Sequence, residues 1–241
     1  MSLSFTNIQL MTLWEQVAQQ QPARRSLCLL AGLSHPSDSV GTLSVGERDR
    51  RLMLIRRKLF GDRIDGVTDC PQCGIRVELN FSISDVTSKF SNSSTNELSC
   101  DGYQVRWRLP TAQDLDDFAD ETVAARVREG LISRCLLEVR HHQEEIGALS
   151  CPEHVIEKVC EAMSQADPLG DTRLDLECPE CGNSWKAAFD IGMYLWREID
   201  VWAKRLVGEV HQIASVYGWS EQEILSMSAT RRRLYLEMVG A

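Results

Sequence analysis

The 241-residue chain has no apolar run approaching the roughly 18–20 residues that a membrane-spanning helix requires. Its opening stretch, MSLSFTNIQLMTLWEQ, lacks the basic segment and unbroken apolar core of a secretory leader, so no membrane partner and a cytoplasmic location are expected. Lysine is scarce, five residues against 21 arginines. Positive charge is short overall: 26 Lys and Arg face 35 Asp and Glu, a formal net charge of −9. That balance opposes general affinity for nucleic acid or anionic membrane, although it leaves room for a local basic patch. The preference for arginine suits planar, bidentate pairing at protein contacts. GxSxG, P-loop, GxGxxG and HExxH motifs are all missing, so no nucleophile with a partner is nominated. What remains is ordinary globular material, 43% hydrophobic and 25% charged, enough for one large domain or two small ones.

Cysteine is plentiful, nine residues, and an odd number without an export signal argues against a disulfide framework. Four of the nine form two near-duplicate turns, Cys70-Pro71-Gln72-Cys73-Gly74 and Cys178-Pro179-Glu180-Cys181-Gly182. A C-x-x-C turn lets two thiolates reach one ion, and two such turns complete the tetrahedron that zinc prefers. The glycine after the second cysteine permits the backbone to aim its amides at the sulfurs. The flanks match as well. In each copy a short strand leads into the turn, and the segment after it carries a Phe two residues before an Ile. The expectation is one structural Zn2+ on Cys70, Cys73, Cys178 and Cys181, in a zinc ribbon split by an insertion of roughly a hundred residues. Redox-active pairs would sit at a strand-to-helix junction in a βαβ pattern, which the sequence does not offer. Four thiolates leave no open position for water, so the metal would staple and not catalyse.

Around these turns the periodicity reads as α+β and mainly helical. Helices are expected over 7–20, from Pro22, and through Leu52, Ile55 and Leu59 to a stop at Gly61. Ile75, Val77, Leu79, Phe81 and Ile83 alternate as a half-buried strand, and 84–96 reads as a polar loop. A strand at YQVRWRL ends at Pro110, and Thr111 with Asp114 offers a capping box. Helices follow over 121–140, through Val123, Val127, Leu131 and Leu137, and over about 152–165. Leu195, Ile199, Trp202, Leu206, Val210, Ile213 and Tyr217 form one stripe of a long helix that Gly218 ends. Ser220 with Glu223 caps the next turn, and a last helix runs over about 229–239. The division that follows is 1–61 helical, 62–84 with 171–190 as the split ribbon, 85–170 as an inserted α/β region, and 191–241 as a helical module.

Other candidates have plainer readings. His141 and His142 read as solvated residues near a helix C-terminus, and His211 as a residue of a polar helix face. Cys28, Cys100, Cys135, Cys151 and Cys160 read as small buried hydrophobes. Trp107 and Trp185 are expected to cover the ribbon. Trp196 lies off the helical stripe and marks either a second buried face or a partner contact. Arg231-Arg232-Arg233 reads as a solvated helix face. A zinc-ribbon nucleic-acid-binding regulator is the alternative that this run would serve, but the acidic GWSEQEI stands where a recognition element would want base.

Five segments together carry a resemblance: LSVGERDRRLMLIRRKLFG, CPQCG with its alternating strand, VRWRLPTAQDL, LECPECGNSW, and LWREIDVWAKRLVGEVHQIASVYGWSEQEILSMSATRRRLYLEMV. In these the chain resembles the T4-type phage baseplate hub assembly family of contractile phages and contractile injection systems. The resemblance is weakest over 84–100 and 120–170. It implies a non-enzymatic assembly factor, or chaperone, that binds baseplate hub or spike proteins in the cytoplasm. A structural subunit retained in the finished particle is equally compatible with it. It carries over the four paired cysteines as a structural site. It also implies a partner surface on the tail, at Tyr217, Trp219, Ile224, Leu225, Arg231, Arg232 and Tyr235, to which Trp196 is added as a contact candidate.

Overall fold

In the computed structural model, which describes residues 5–35, 37–88 and 96–240, the helices begin where the sequence supplies start signals. Thr6 and Gln9 form a reciprocal capping box for α1 (Asn7–Ala18), and Pro22 opens α2 (Pro22–Leu33) at its first turn. Ser44 caps α3 (Val45–Phe60), and Gly61 closes it. Two strands follow, β1 (Arg63–Asp69) and β2 (Arg76–Ser82), paired antiparallel around the first C-x-x-C turn. A short helix, α4 (Ile83–Thr87), occupies the start of the expected 84–96 loop; 89–95 lie outside the described residues.

The inserted region builds a four-stranded antiparallel sheet from β3 (Glu97–Cys100), β4 (Tyr103–Trp107), β5 (Leu136–His141) and β6 (Glu144–Ile146), in that order. Between β4 and β5 lie α5 (Ala112–Asp117) and α6 (Ala124–Cys135). After β6, α7 (Glu153–Ala166) packs Val155, Ile156 and Val159 against Val105, Trp107, Leu136 and Val139 of the sheet. The second hairpin, β7 (Arg173–Glu177) with β8 (Ser184–Ala188), holds the second C-x-x-C turn. Then comes α8 (Ile191–Tyr217), 27 residues and about 40 Å long, followed by α9 (Glu221–Leu225) and α10 (Ala229–Val239).

The main core joins α1, α2 and α3 to the first half of α8. Ile191, Leu195 and Ile199 are fully buried against Leu29, Leu30, Leu33 and Leu52. Each such side chain contributes about 2 kcal/mol, so this face anchors the long helix. Further along, Ala203 and Leu206 meet Met11 and Leu225. Polar bonds fix the same packing: Trp14 Nε1 donates to Asp200 at 3.0 Å, and Arg56 grips Glu198 with two bonds of 2.6 and 2.8 Å.

The inserted region is tied to this core at the start of α3. The Gly46 N–H donates to Asp167 Oδ2 at 2.8 Å, and the Val45 N–H donates to the Pro110 carbonyl at 3.1 Å. A Cβ at position 46 would sit 1.9 Å from Asp167 Oδ1, so only glycine admits that approach.

Several expectations change. The helix foreseen over 121–140 stops at Cys135, and Leu136–His141 pairs with both β4 and β6 instead. Leu137 therefore lies on a strand and is half exposed, and His141 ends that strand, stacked on Tyr103 at 4.2 Å. Trp107 belongs to the second core and not to the ribbon. Of the five lone cysteines, Cys135 and Cys151 are buried, Cys28 and Cys100 are half-buried, and Cys160 is exposed. Arg232 is buried with Glu209 at 3.0 Å, so the arginine run is not wholly a solvated face.

Asp114 tests this arrangement. It accepts from Arg108 at 2.5 and 3.0 Å and from the Thr111 N–H at 2.9 Å. The Arg108 guanidinium, aided by Thr111 and opposed by desolvation, holds its carboxyl well below the usual carboxylate range. A depressed folded-state value gives stability above the unfolded value near 3.9 that fades as pH falls below it. Asp114→Asn should lower unfolding stability at pH 7 by about 1–3 kcal/mol, with the gap to the parent shrinking by pH 3 in urea titrations.

Candidate metal centre

The two C-x-x-C turns are the same local structure made twice. The Cys70 N–H donates to the Ile75 carbonyl at 2.8 Å, and the Gly74 N–H to the Cys70 carbonyl at 2.9 Å. In the second copy Cys178 donates to Asn183 at 2.8 Å and Gly182 to Cys178 at 3.0 Å. Gly74 and Gly182 close the turns at φ of 72° and 70°, the left-handed region that a Cβ disfavours. The matched flanks also meet. The Phe81 and Phe189 rings pack edge to face at 5.0 Å, and Ile83 and Ile191 are both fully buried in the main core. Each hairpin thus leads into a helix whose first residue is a core anchor.

This doubling brings the four sulfurs together. Cys70 Sγ lies 3.7 Å from Cys181 Sγ, and Cys73 Sγ lies 3.6 Å from Cys178 Sγ, across 111 and 105 residues of chain. All four Sγ atoms are within 4.8 Å of one another. A disulfide would need about 2.05 Å. A tetrahedron of sulfurs at the usual zinc–sulfur length of about 2.3 Å has edges of about 3.8 Å, which is the observed scale. Val77 and Trp185 pack against the buried pair Cys70 and Cys178, while Cys73 and Cys181 face outward.

The local electrostatics call for a cation. The Cys73 N–H, opposed by desolvation and helped by the Gln72 N–H, brings the Cys70 thiol down to about 6. The Asn183 N–H pulls Cys181 the same way, yet desolvation and the sulfurs of Cys178, Cys73 and Cys70 push it up to about 12. One thiolate is favoured and further ones are repelled, because like charges this close do not ionise together. A divalent ion removes that conflict. By contrast, burial raises the thiols of Cys28, Cys151 and Cys160, and that of Cys135 to about 11, which leaves them as neutral, weakly nucleophilic groups.

Residues 28–191 match the family model described as T4 bacteriophage base plate protein. The chain belongs to this family. The matched span contains both cysteine turns and the whole inserted region, and it ends on the first residue of α8. No curated protein and no solved structure matches the chain. This base plate protein is non-enzymatic, as its structural family implies. No helix among the described residues is long and apolar enough to cross a membrane.

The tail candidates divide. Trp196 is buried in the main core beside α2, while Ile224, Leu225 and Arg232 are buried where α9 and α10 fold back beside α8 and α1. The Asn7 side chain donates to the Leu225 carbonyl at 3.0 Å, which fixes that return. Tyr217, Trp219 and Tyr235 stay half-exposed as a cluster, with ring centroids 4.7, 5.5 and 4.8 Å apart, and the exposed Arg231 lies over Tyr235.

The four sulfurs predict a measurable metal. Elemental analysis of purified protein should find about one divalent ion per chain, as one four-coordinate site requires. Cys178→Ser should lose that ion and lower the melting temperature by more than about 10 °C, because metal-binding energy is folding energy in such sites.

Proposed function

We propose that the protein is a non-enzymatic assembly factor, a chaperone for the baseplate hub or spike of a contractile phage tail or injection system. It works by protein–protein binding in the bacterial or phage-infected cytoplasm. The observation that carries this reading is the closed four-sulfur cluster inside the span matched by the base plate family. Zn2+ is the ion proposed, held by Cys70, Cys73, Cys178 and Cys181 as a split ribbon. Zinc fits four thiolates, and such sites stabilise their folds by an apparent 10–16 kcal/mol or about that at neutral pH. With all four positions taken by sulfur, no water is activated. The ion's work is to hold two distant hairpins together under the core.

The division into an N-terminal helical region, a split ribbon, an inserted region and a C-terminal helical module is proposed with it. So is a docking role for the exposed tail cluster of Tyr217, Trp219, Tyr235 and Arg231. Aromatic residues and arginine are the types that dominate binding energy at protein contacts. The buried Ile224, Leu225 and Arg232 would support that surface from beneath, while Trp196 lies in the main core and takes no part in it. Burial of Arg232 leaves only Arg231 and Arg233 of the run to face solvent, which weakens the nucleic-acid alternative.

X-ray absorption should find one zinc ringed by four sulfurs at about 2.3 Å, and an oxygen or nitrogen ligand would remove the closed site. The assembly role is tested with baseplate hub and spike proteins of a contractile tail or injection system. A complex should form during assembly, and the protein should be missing from purified finished particles. Stoichiometric presence in those particles would make it a retained subunit instead. Salt-sensitive binding to DNA or RNA with no hub complex would favour the regulator.

A further inference from the structure

A trough of about 790 Å³ runs beside the first half of α8, with α1, the end of α3 and β1 as its other walls. It is separate from the tail cluster. Its floor is apolar where apolar surface is not expected to face water: Val67 is 60% exposed and Val201 67%. Along α8, Met193, Arg197, Val201 and Arg205 recur every fourth residue, and all four are exposed. Such a row is a ridge of the kind that packs between the ridges of a second helix. It extends about 18 Å, a little over three helical turns.

The charges in the trough select its occupant. Arg197 has no ion-pair or hydrogen-bond partner among the described residues. The Arg205 side chain is 72% exposed and, among the described residues, its ion pair is with Glu209, at 3.6 Å. Among the described residues Glu198 is the one carboxylate in the lining, and its two oxygens are held by the buried Arg56. The trough is therefore locally positive in a chain of net charge −9. A β-strand is a poorer fit than a helix. The Tyr194 hydroxyl already donates to the Asp65 carbonyl at 2.9 Å, which occupies part of the backbone edge that β1 would offer.

We propose that this trough receives an acidic amphipathic helix of a baseplate partner, whose apolar side covers Val67 and Val201 while its carboxylates meet Arg197 and Arg205. The proposal rests on the assembly reading and names the chemistry of one partner segment.

The probe is a fluorescent synthetic helix with leucines on one face flanked by glutamates, titrated into the full-length protein. A twin peptide carries lysine in place of each glutamate. The acidic peptide should bind about tenfold more tightly than its twin, and more tightly at low salt. Arg197→Glu with Arg205→Glu should weaken acidic-peptide binding by about tenfold or more and reverse the preference. Because both residues are exposed, the variant should keep the parent's circular dichroism and metal content. Absent binding, equal binding of both peptides, or indifference to the substitutions would overturn the proposal. So would a dimer seen by light scattering that the same substitutions dissociate, since the trough would then hold a second copy. The two readings separate in the hub and spike assay. A complex that the double variant forms as well as the parent leaves the assembly reading standing and removes the trough. A trough that selects the acidic peptide, in a protein that binds no hub or spike protein, keeps the helix-binding site and removes the assembly role.

Discussion

Mutual repulsion among four crowded sulfurs is the constraint around which this molecule is arranged. Thiols packed within 4.8 Å of one another cannot all ionise unaided, and a thiolate favoured at Cys70 makes the next ionisation harder. The site is thus stable only as a largely protonated cluster or around a cation. Each of the two hairpins closes its turn with its own backbone bonds and presents two of the sulfurs. Those hairpins are locked by the Phe81–Phe189 contact and by the burial of Ile83 and Ile191 in one core.

The second organising contact is the one between Gly46 and Asp167. It lets a carboxylate meet a buried N–H in the first turn of α3, where the helix dipole favours negative charge. Together with the Val45–Pro110 bond it ties the inserted region to the start of α3 in the helical core. The inserted region is consequently held by the hairpins that flank it and, at Pro110 and Asp167, by α3.

Much of this was legible in the residues. The duplicated CPxCG turns announced their own convergence, because the glycine, the spacing and the flanking Phe and Ile are local requirements of one structure. Capping boxes at Thr111 with Asp114 and at Ser220 with Glu223 were equally local and appear as expected. Failures came where a tertiary partner decides. Leu136–His141 carries apolar residues that suit a helix as well as a strand, and pairing with both β4 and β6 settles the matter. Ile224, Leu225 and Arg232 look like a surface on an isolated tail. The sequence does not say that Asn7 and Glu209 wait to bury them. The trough beside α8 was invisible for the same reason, since its walls come from four separate elements.

The order in which the main core is supplied has a consequence for synthesis on the ribosome. Leu29, Leu30, Leu33 and Leu52 emerge early, but the Ile191, Leu195 and Ile199 that cover them arrive only after the entire inserted region has been translated. Until then the first three helices carry an uncovered apolar face and the first cysteine turn lacks its mate. The nascent chain therefore spends most of its elongation as an incomplete molecule, and closure of the core and of the sulfur cage must come late and nearly together.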